Sequence, residues 1–305
     1  MYIVNHRKIF YALSGVIIAA SFILLIVWGL PLSIDFKGGT LLEIKYEGDR
    51  PSASDIREKI APLSLRESIR PTGDAGYIIR ARHIEESERA GLMTELSFAG
   101  EKKVEQVRFD SVGPLLGREA ALKSFISIGL VILCIVLFIA FAFRKVSEPV
   151  SSWKYGLIAV AALAHDVIVP TGAAVLLGHF AGFEADTLFV TALLVILGFS
   201  VHDTIVVFDR VRENLRLNKE YNERKEFSDI VGKSISQTFT RSVNTSLSTL
   251  LALVVLYLLG AEATRDFALI LIIGIVAGTY SSICLASPLL VTVEKRGRKR
   301  ERKRE

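Results

Sequence analysis

The sequence predicts a membrane α-helical fold, a six-span bundle that carries one small α+β domain, and three observations predict it. Of 305 residues 51% are hydrophobic and only 23% charged. The apolar residues gather in six runs of about 18 or more, the length that crosses a hydrocarbon layer of about 30 Å. A hydrophilic stretch, 35–122, separates the first run from the other five, and Lys and Arg cluster at alternate run ends. The net charge of +5 comes from these clusters, and residues 295–304 alone hold eight Lys or Arg. That tail follows directly on a span, which points to anionic lipid at the cytoplasmic leaflet rather than to nucleic acid. Cys134 and Cys284 both lie in apolar runs, so the hydrophilic stretch has no cysteine for a disulfide or a thiolate zinc site.

The first run, 9–30, follows a basic start (His6, Arg7, Lys8) and is closed by Pro31. It is too long for a signal-peptide core and no small-residue cleavage site follows, so the expectation is an uncleaved first span whose amino end is cytoplasmic. In the hydrophilic stretch, Leu42, Ile44 and Tyr46 alternate with Glu43 and Lys45, the period of a half-buried strand. Ser52 and Asp55 then open a short helix reaching about Ile60. Two strands at 65–70 and 77–82 flank the turn formers Pro71, Gly73, Asp74 and Gly76. A helix at 86–98 and a strand at 104–110 complete the order β-α-β-β-α-β, that of a ferredoxin-like domain.

Five further runs follow, at 124–143, 155–177, 187–208, 242–259 and 267–293. Six spans put both termini on one side. The amino end, 144–154, 210–241 and the tail carry the basic residues, whereas 178–186 and 260–266 hold only Arg265 between them. The positive-inside rule therefore makes both termini cytoplasmic and 35–122 extracytoplasmic. The expected organisation is a cytoplasmic end and first span at 1–34, the outer domain at 35–122, a five-span bundle at 123–294 and a basic tail at 295–305.

Charge inside these runs marks the candidate site. Asp203, beside His202, lies in the fourth run, where an insertion cost of about 2.5–3.5 kcal/mol makes an ionisable group a pathway residue by default. Asp166, beside His165, stands near the middle of the third run, which only nine residues join to the fourth as an antiparallel partner. Asp203 is displaced about 7 Å toward the cytoplasmic side. The approach to the fifth run, with Ile235, Phe239 and Val243 on its apolar side, brings Arg241 to a similar depth. Burial disfavours a charged carboxylate and a guanidinium favours it, so a small movement between Asp203 and Arg241 would load or unload a proton. The alternatives are a buried helix–helix hydrogen bond for Asp203 and for the His165–Asp166 pair, and a snorkelling side chain for Arg241. Gly198 is expected to admit a neighbouring helix or water. Asp209, Arg210, Arg212 and Glu213 read as a solvated face. No phosphate-cradling glycine loop and no Ser-His-Asp spacing occurs, so an enzyme is not expected.

The stretch Gly198-Phe-Ser-Val-His202-Asp203-Thr-Ile-Val-Val-Phe-Asp209-Arg-Val-Arg-Glu-Asn214 closely resembles the fourth-span signature of the SecD/SecF protein-export family, in its SecF branch. Ile34-Asp35-Phe36-Lys37-Gly38-Gly39-Thr40, Val112-Gly113-Pro114, Ala164-His165-Asp166 and Gln237-Thr-Phe-Thr-Arg241-Ser-Val-Asn244-Thr-Ser246 are similar to further motifs of that family, in the same order. The resemblance runs from the first span to about Pro288 and leaves the tail outside it. It implies a six-span half of a resistance-nodulation-division-like transporter in the inner membrane, paired with SecD. Together the two use the proton-motive force to assist preprotein translocation through SecYEG. It also implies that Asp203 and Arg241 belong to the proton path, with Asp166 and His202 as further relay candidates; many members carry Asn at the position of His202. No cofactor is implied; protons are the expected coupling ion, with sodium open. Two other functions stay in view. One is a passive scaffold of the same complex, the other an independent small-molecule exporter, against which the single outer domain counts.

Overall fold

The computed structural model describes residues 2–65, 68–142, 150–223 and 225–301. Parts of three expectations lie outside them: the start of the strand at 65–70, most of 144–154, and the last residues of the basic tail. The chain divides into two compact units, Met1–Pro31 with Ile126–Glu305 and Leu32–Phe125.

One turn of helix, α1 (Tyr2–Asn5), leads into α2 (Arg7–Trp28). α2 stops where Gly29 takes φ 72° and its N–H bonds the Leu25 carbonyl at 3.0 Å. In the second unit, Ser33 Oγ accepts the Asp35 N–H at 3.1 Å and starts the single-turn α3 (Ile34–Lys37). Gly38 and Gly39 follow at φ 75° and 132°. A Cβ on Gly38 would lie 2.7 Å from Pro114 Cα, and one on Gly39 2.8 Å from the Ala81 carbonyl oxygen. Both backbone angle and space therefore demand glycine at this turn.

The unit continues as β1 (Gly39–Tyr46), α4 (Ala53–Ile60), β2 (Ser68–Thr72), β3 (Gly76–Ala81), α5 (Glu86–Leu96) and β4 (Val104–Val112). The strands pair antiparallel in the order β2-β3-β1-β4, the ferredoxin-like arrangement expected from the alternation. Leu42, Ile44 and Tyr46 of β1 point to one face and pack with Ile56 and Ile60 of α4 and Leu92 and Leu96 of α5. Each such side chain contributes about 1.5–3 kcal/mol on burial. Ser52 and Asp55 form the expected capping box on α4. Tyr46 donates its hydroxyl to the Leu96 carbonyl at 2.9 Å, and burial pushes its phenol up to about 12.

The bundle is completed by α6 (Pro114–Ala142), α7 (Ser152–Ala181), α8 (Thr187–Glu220), α9 (Phe227–Leu259), α10 (Glu262–Ser281) and α11 (Ser287–Glu301). Among the described residues six stretches of helix are long and apolar enough to cross a membrane, with α10 and α11 sharing the last. The segment 210–241 is mostly helix, because α8 runs about 18 Å past its apolar run before turning back into α9. Ion pairs one turn apart hold this extension, Asp209 with Arg212 and Arg210 with Glu213, both at 2.5 Å. Asn214 Nδ2 donates across to Ser234 Oγ and Gln237 Oε1, each at 2.8 Å, and Val211 packs against Phe227 and Val231.

Close helix approach occurs at Gly172 and Gly274 and not at Gly198. A Cβ on Gly172 would overlap Ser21 of α2, and one on Gly274 would overlap Ile196 of α8. Gly198 is exposed and has no atom within 4 Å of where a Cβ would stand. The sixth span is not one continuous α-helix: a π-helical turn, Ser282–Ala286, separates α10 from α11. Pro288 explains its place. It has no N–H for the carbonyl of Cys284 four residues back, and its ring crowds that carbonyl, so the wider turn absorbs the mismatch. Ser287 Oγ donates to the Ser282 carbonyl at 2.8 Å within it.

Candidate functional site

Helices α7, α8 and α10 meet around Asp166, which is completely buried. His165 Nδ1 lies 2.8 Å from Asp166 Oδ1; Ser200 Oγ of α8 and Ser281 Oγ of α10 both donate to Oδ2, the latter at 2.7 Å. Three elements thus converge on one carboxylate. Pro170, four residues on, has no N–H for the Asp166 carbonyl, so the α7 ladder is one bond short at this residue. His165 is 1% exposed, and its Nε2 has no hydrogen-bond partner among the described residues.

Asp203 sits nearly one turn further along α8, about 4.5 Å of rise beyond Ser200. It is 7% exposed; its Oδ1 accepts the Ser242 hydroxyl of α9 at 2.5 Å, and its Oδ2 is buried without a partner among the described residues. Further hydroxyls pair across these helices. Ser282 Oγ lies 2.8 Å from Thr204 Oγ1 and donates to the Ser200 carbonyl at 3.3 Å. Ser246 of α9 and Thr279 of α10 share a 2.6 Å contact. The π turn supplies Ser282 directly, one residue after Ser281.

The expected residues are therefore not all together. Asp166 of α7 and Asp203 of α8 are both buried, and Ser200, which donates to Asp166, precedes Asp203 by three residues on α8. Arg241 is exposed, and among the described residues it makes no hydrogen bond or ion pair to Asp203; its neighbour Ser242 fills that place. His202 is also exposed, since adjacent helix positions face about 100° apart. Ser200, Thr204, Ser281 and Ser282 were missed from the sequence. A signal existed: Tyr280, Ser281 and Ser282 stand together within an otherwise apolar run, and Ser200 precedes Asp203 by three positions. Chemically, each of these buried acids, held by hydroxyl donors, can bind and release a proton.

The family model described as "Protein export membrane protein SecD/SecF, C-terminal" matches residues 93–296, and one described as "SecD/SecF GG Motif" matches residues 23–49, which include Gly38 and Gly39. A protein translocase subunit SecF from Thermobaculum terrenum is 43% identical over 96% of this chain and 93% of its own. The subunit of that name from Anaerolinea thermophila is 37% identical over 96% and 94%. The crystal structure of SecDF, a translocon-associated membrane protein from Thermus thermophilus, matches with a TM-score of 0.82 at 30% identity. The match covers 97% of this chain but 39% of the SecDF polypeptide.

Proposed function

The chain belongs to the SecD/SecF family of protein-export membrane proteins, in its SecF branch, and from that premise we propose that it is one half of a proton-driven export motor in which Asp203 carries the proton. SecD supplies the other half, SecYEG the channel and unfolded preproteins the cargo. The chain lies in the cytoplasmic membrane with both ends cytoplasmic, residues 35–122 outside, and the basic tail against anionic lipid. Sequence charge supports this placement, since the basic residues crowd the proposed cytoplasmic ends.

The observation that carries the reading is the asymmetry of the Asp203 carboxylate. One oxygen accepts Ser242 of α9, and the other is buried and bare among the described residues. A proton added to the bare oxygen neutralises a charge held in a low-dielectric interior. It also weakens the bond to Ser242, because a hydrogen bond to a charged acceptor is roughly twice as strong as a neutral one. Protonation is thereby converted into a looser tie between α8 and α9, and each proton brings about 2.3 kcal/mol per 100 mV of potential. Arg241, one residue before Ser242, travels with α9 and acts on Asp203 as that helix moves.

Asp203→Asn keeps the shape and removes the titratable charge. In vesicles holding the chain with SecD and SecYEG, this variant should insert and bind SecD normally while losing the uncoupler-sensitive part of export. Full uncoupler-sensitive export by Asp203→Asn would instead support a passive scaffold in which Asp203 only joins two helices.

A further inference from the structure

We propose that His165 and Asp166 form a second proton-carrying dyad, with His165 Nε2 as the atom that takes the proton. The inference rests on the proton-motor reading and adds a carrier to it.

Asp166 is fully supplied with donors. Oδ2 accepts from Ser200 and Ser281, and Oδ1 faces His165 Nδ1 at 2.8 Å. An ionised carboxylate only accepts, so Nδ1 carries the hydrogen and the lone pair of the neutral ring lies on Nε2. That atom is buried and finds no donor among the described residues. A lone pair that no donor engages is open to a proton, and the Asp166 carboxylate on the far side of the ring offsets the charge that results. The step balances simply. A proton bonds to the Nε2 lone pair, the dyad passes from a net charge of −1 to 0, and the imidazolium rests against the Asp166 carboxylate. On release the N–H bond breaks, the proton passes to a water or hydroxyl oxygen, and nothing is oxidised or reduced.

The surroundings suit this role. From α10, Tyr280 places its ring 5.9 Å from the His165 ring, but its hydroxyl already donates to the Phe10 carbonyl at 3.0 Å and accepts from Ser14. Cys284 of the π turn stands near Tyr280, and Tyr11 of α2 is tied to Thr292 at 2.9 Å. From α8 the titratable groups are Asp203 and the exposed His202. Among the described residues no Lys or Arg forms an ion pair with Asp166, so its charge is free to receive an imidazolium. Toward Asp203, Ser200 donates to Asp166, and Ser282 donates to the Ser200 carbonyl and lies 2.8 Å from Thr204.

Two measurements test it, both on the full chain bound to its SecD partner. The first is imidazole-nitrogen NMR of a variant that keeps His165 as its sole histidine, the other four being replaced by Gln. Acidification from roughly pH 8 to 5 should convert the His165 signal to that of an imidazolium. A single neutral tautomer throughout would overturn the proposal. The second is export with His165→Asn, whose amide reproduces the Nδ1 donor to Asp166 but has nothing at Nε2. Its uncoupler-sensitive export should fall to about a tenth or less of wild type while insertion persists. Wild-type export would overturn the proposal, and loss of insertion leaves the NMR result to decide it. The two readings fail separately: full export by Asp203→Asn removes the motor, whereas full export by His165→Asn alone removes only the second carrier.

Discussion

Among the described residues Ser242 is the one side chain that donates to Asp203, and Arg241 beside it is exposed. Removing each should therefore have unequal effects on stability. Ser242→Ala leaves a buried carboxylate with no donor on either oxygen and should destabilise the bundle by about 1–3 kcal/mol. Arg241→Met alters an exposed position and should stay within about 0.5 kcal/mol. Thermal unfolding of the purified proteins measures both, and an equal loss for the two would show Arg241 to be a structural partner of the acid. The sequence exposed the acids themselves, because Asp166 and Asp203 interrupt apolar runs. It did not reveal which residue of the fifth span reaches Asp203, since Arg241 and Ser242 are neighbours in the chain and face about 100° apart on the helix. That choice belongs to the rotation of α9 against α8, which buried Val231 and Ile235 set at a distance.

Among elements, α8 and α10 illustrate where glycine permits contact and where it does not. Gly198→Ala fills open space on an exposed face and should stabilise α8 by about 0.8–1 kcal/mol through helix propensity. Gly274→Leu drives a side chain into Ile196 and should destabilise the bundle by about 1–3 kcal/mol or more. Chemical denaturation in detergent compares them, and a tolerated Gly274→Leu would mean that α10 does not seat on α8 at this point. The strands of the outer unit were legible because alternation at Leu42, Ile44 and Tyr46 is a local signal. Apolar length located the spans but not their ends, since Asp209 to Glu220 are polar and helical all the same. Their intrahelical ion pairs were visible at three-residue spacing, though read as a solvated face.

For the whole molecule, charge asymmetry makes the decisive expectation. Reporter fusions at Gly73 and after Lys295 should lie on opposite sides of the membrane, with the second cytoplasmic; fusions reporting the same side would overturn the six-span topology. The broad plan was readable because hydropathy and the β-α-β-β-α-β order act over long windows. The interior contacts were not, because they join residues distant in the chain, such as Asp166 and Ser281. The π turn at Ser282–Ala286 shows what that means for the sixth span. It inserts a fraction of a turn, as an added link rotates everything hanging below it on a chain. Uninterrupted winding from the buried Gly278 would carry Leu289, Thr292 and Val293 inward, yet these are half-buried, and Leu290, Val291 and Glu294 face the interior instead. The phase set by one proline-driven defect thus decides which face of the last helix turns inward, so that Glu294 and not Val293 is covered.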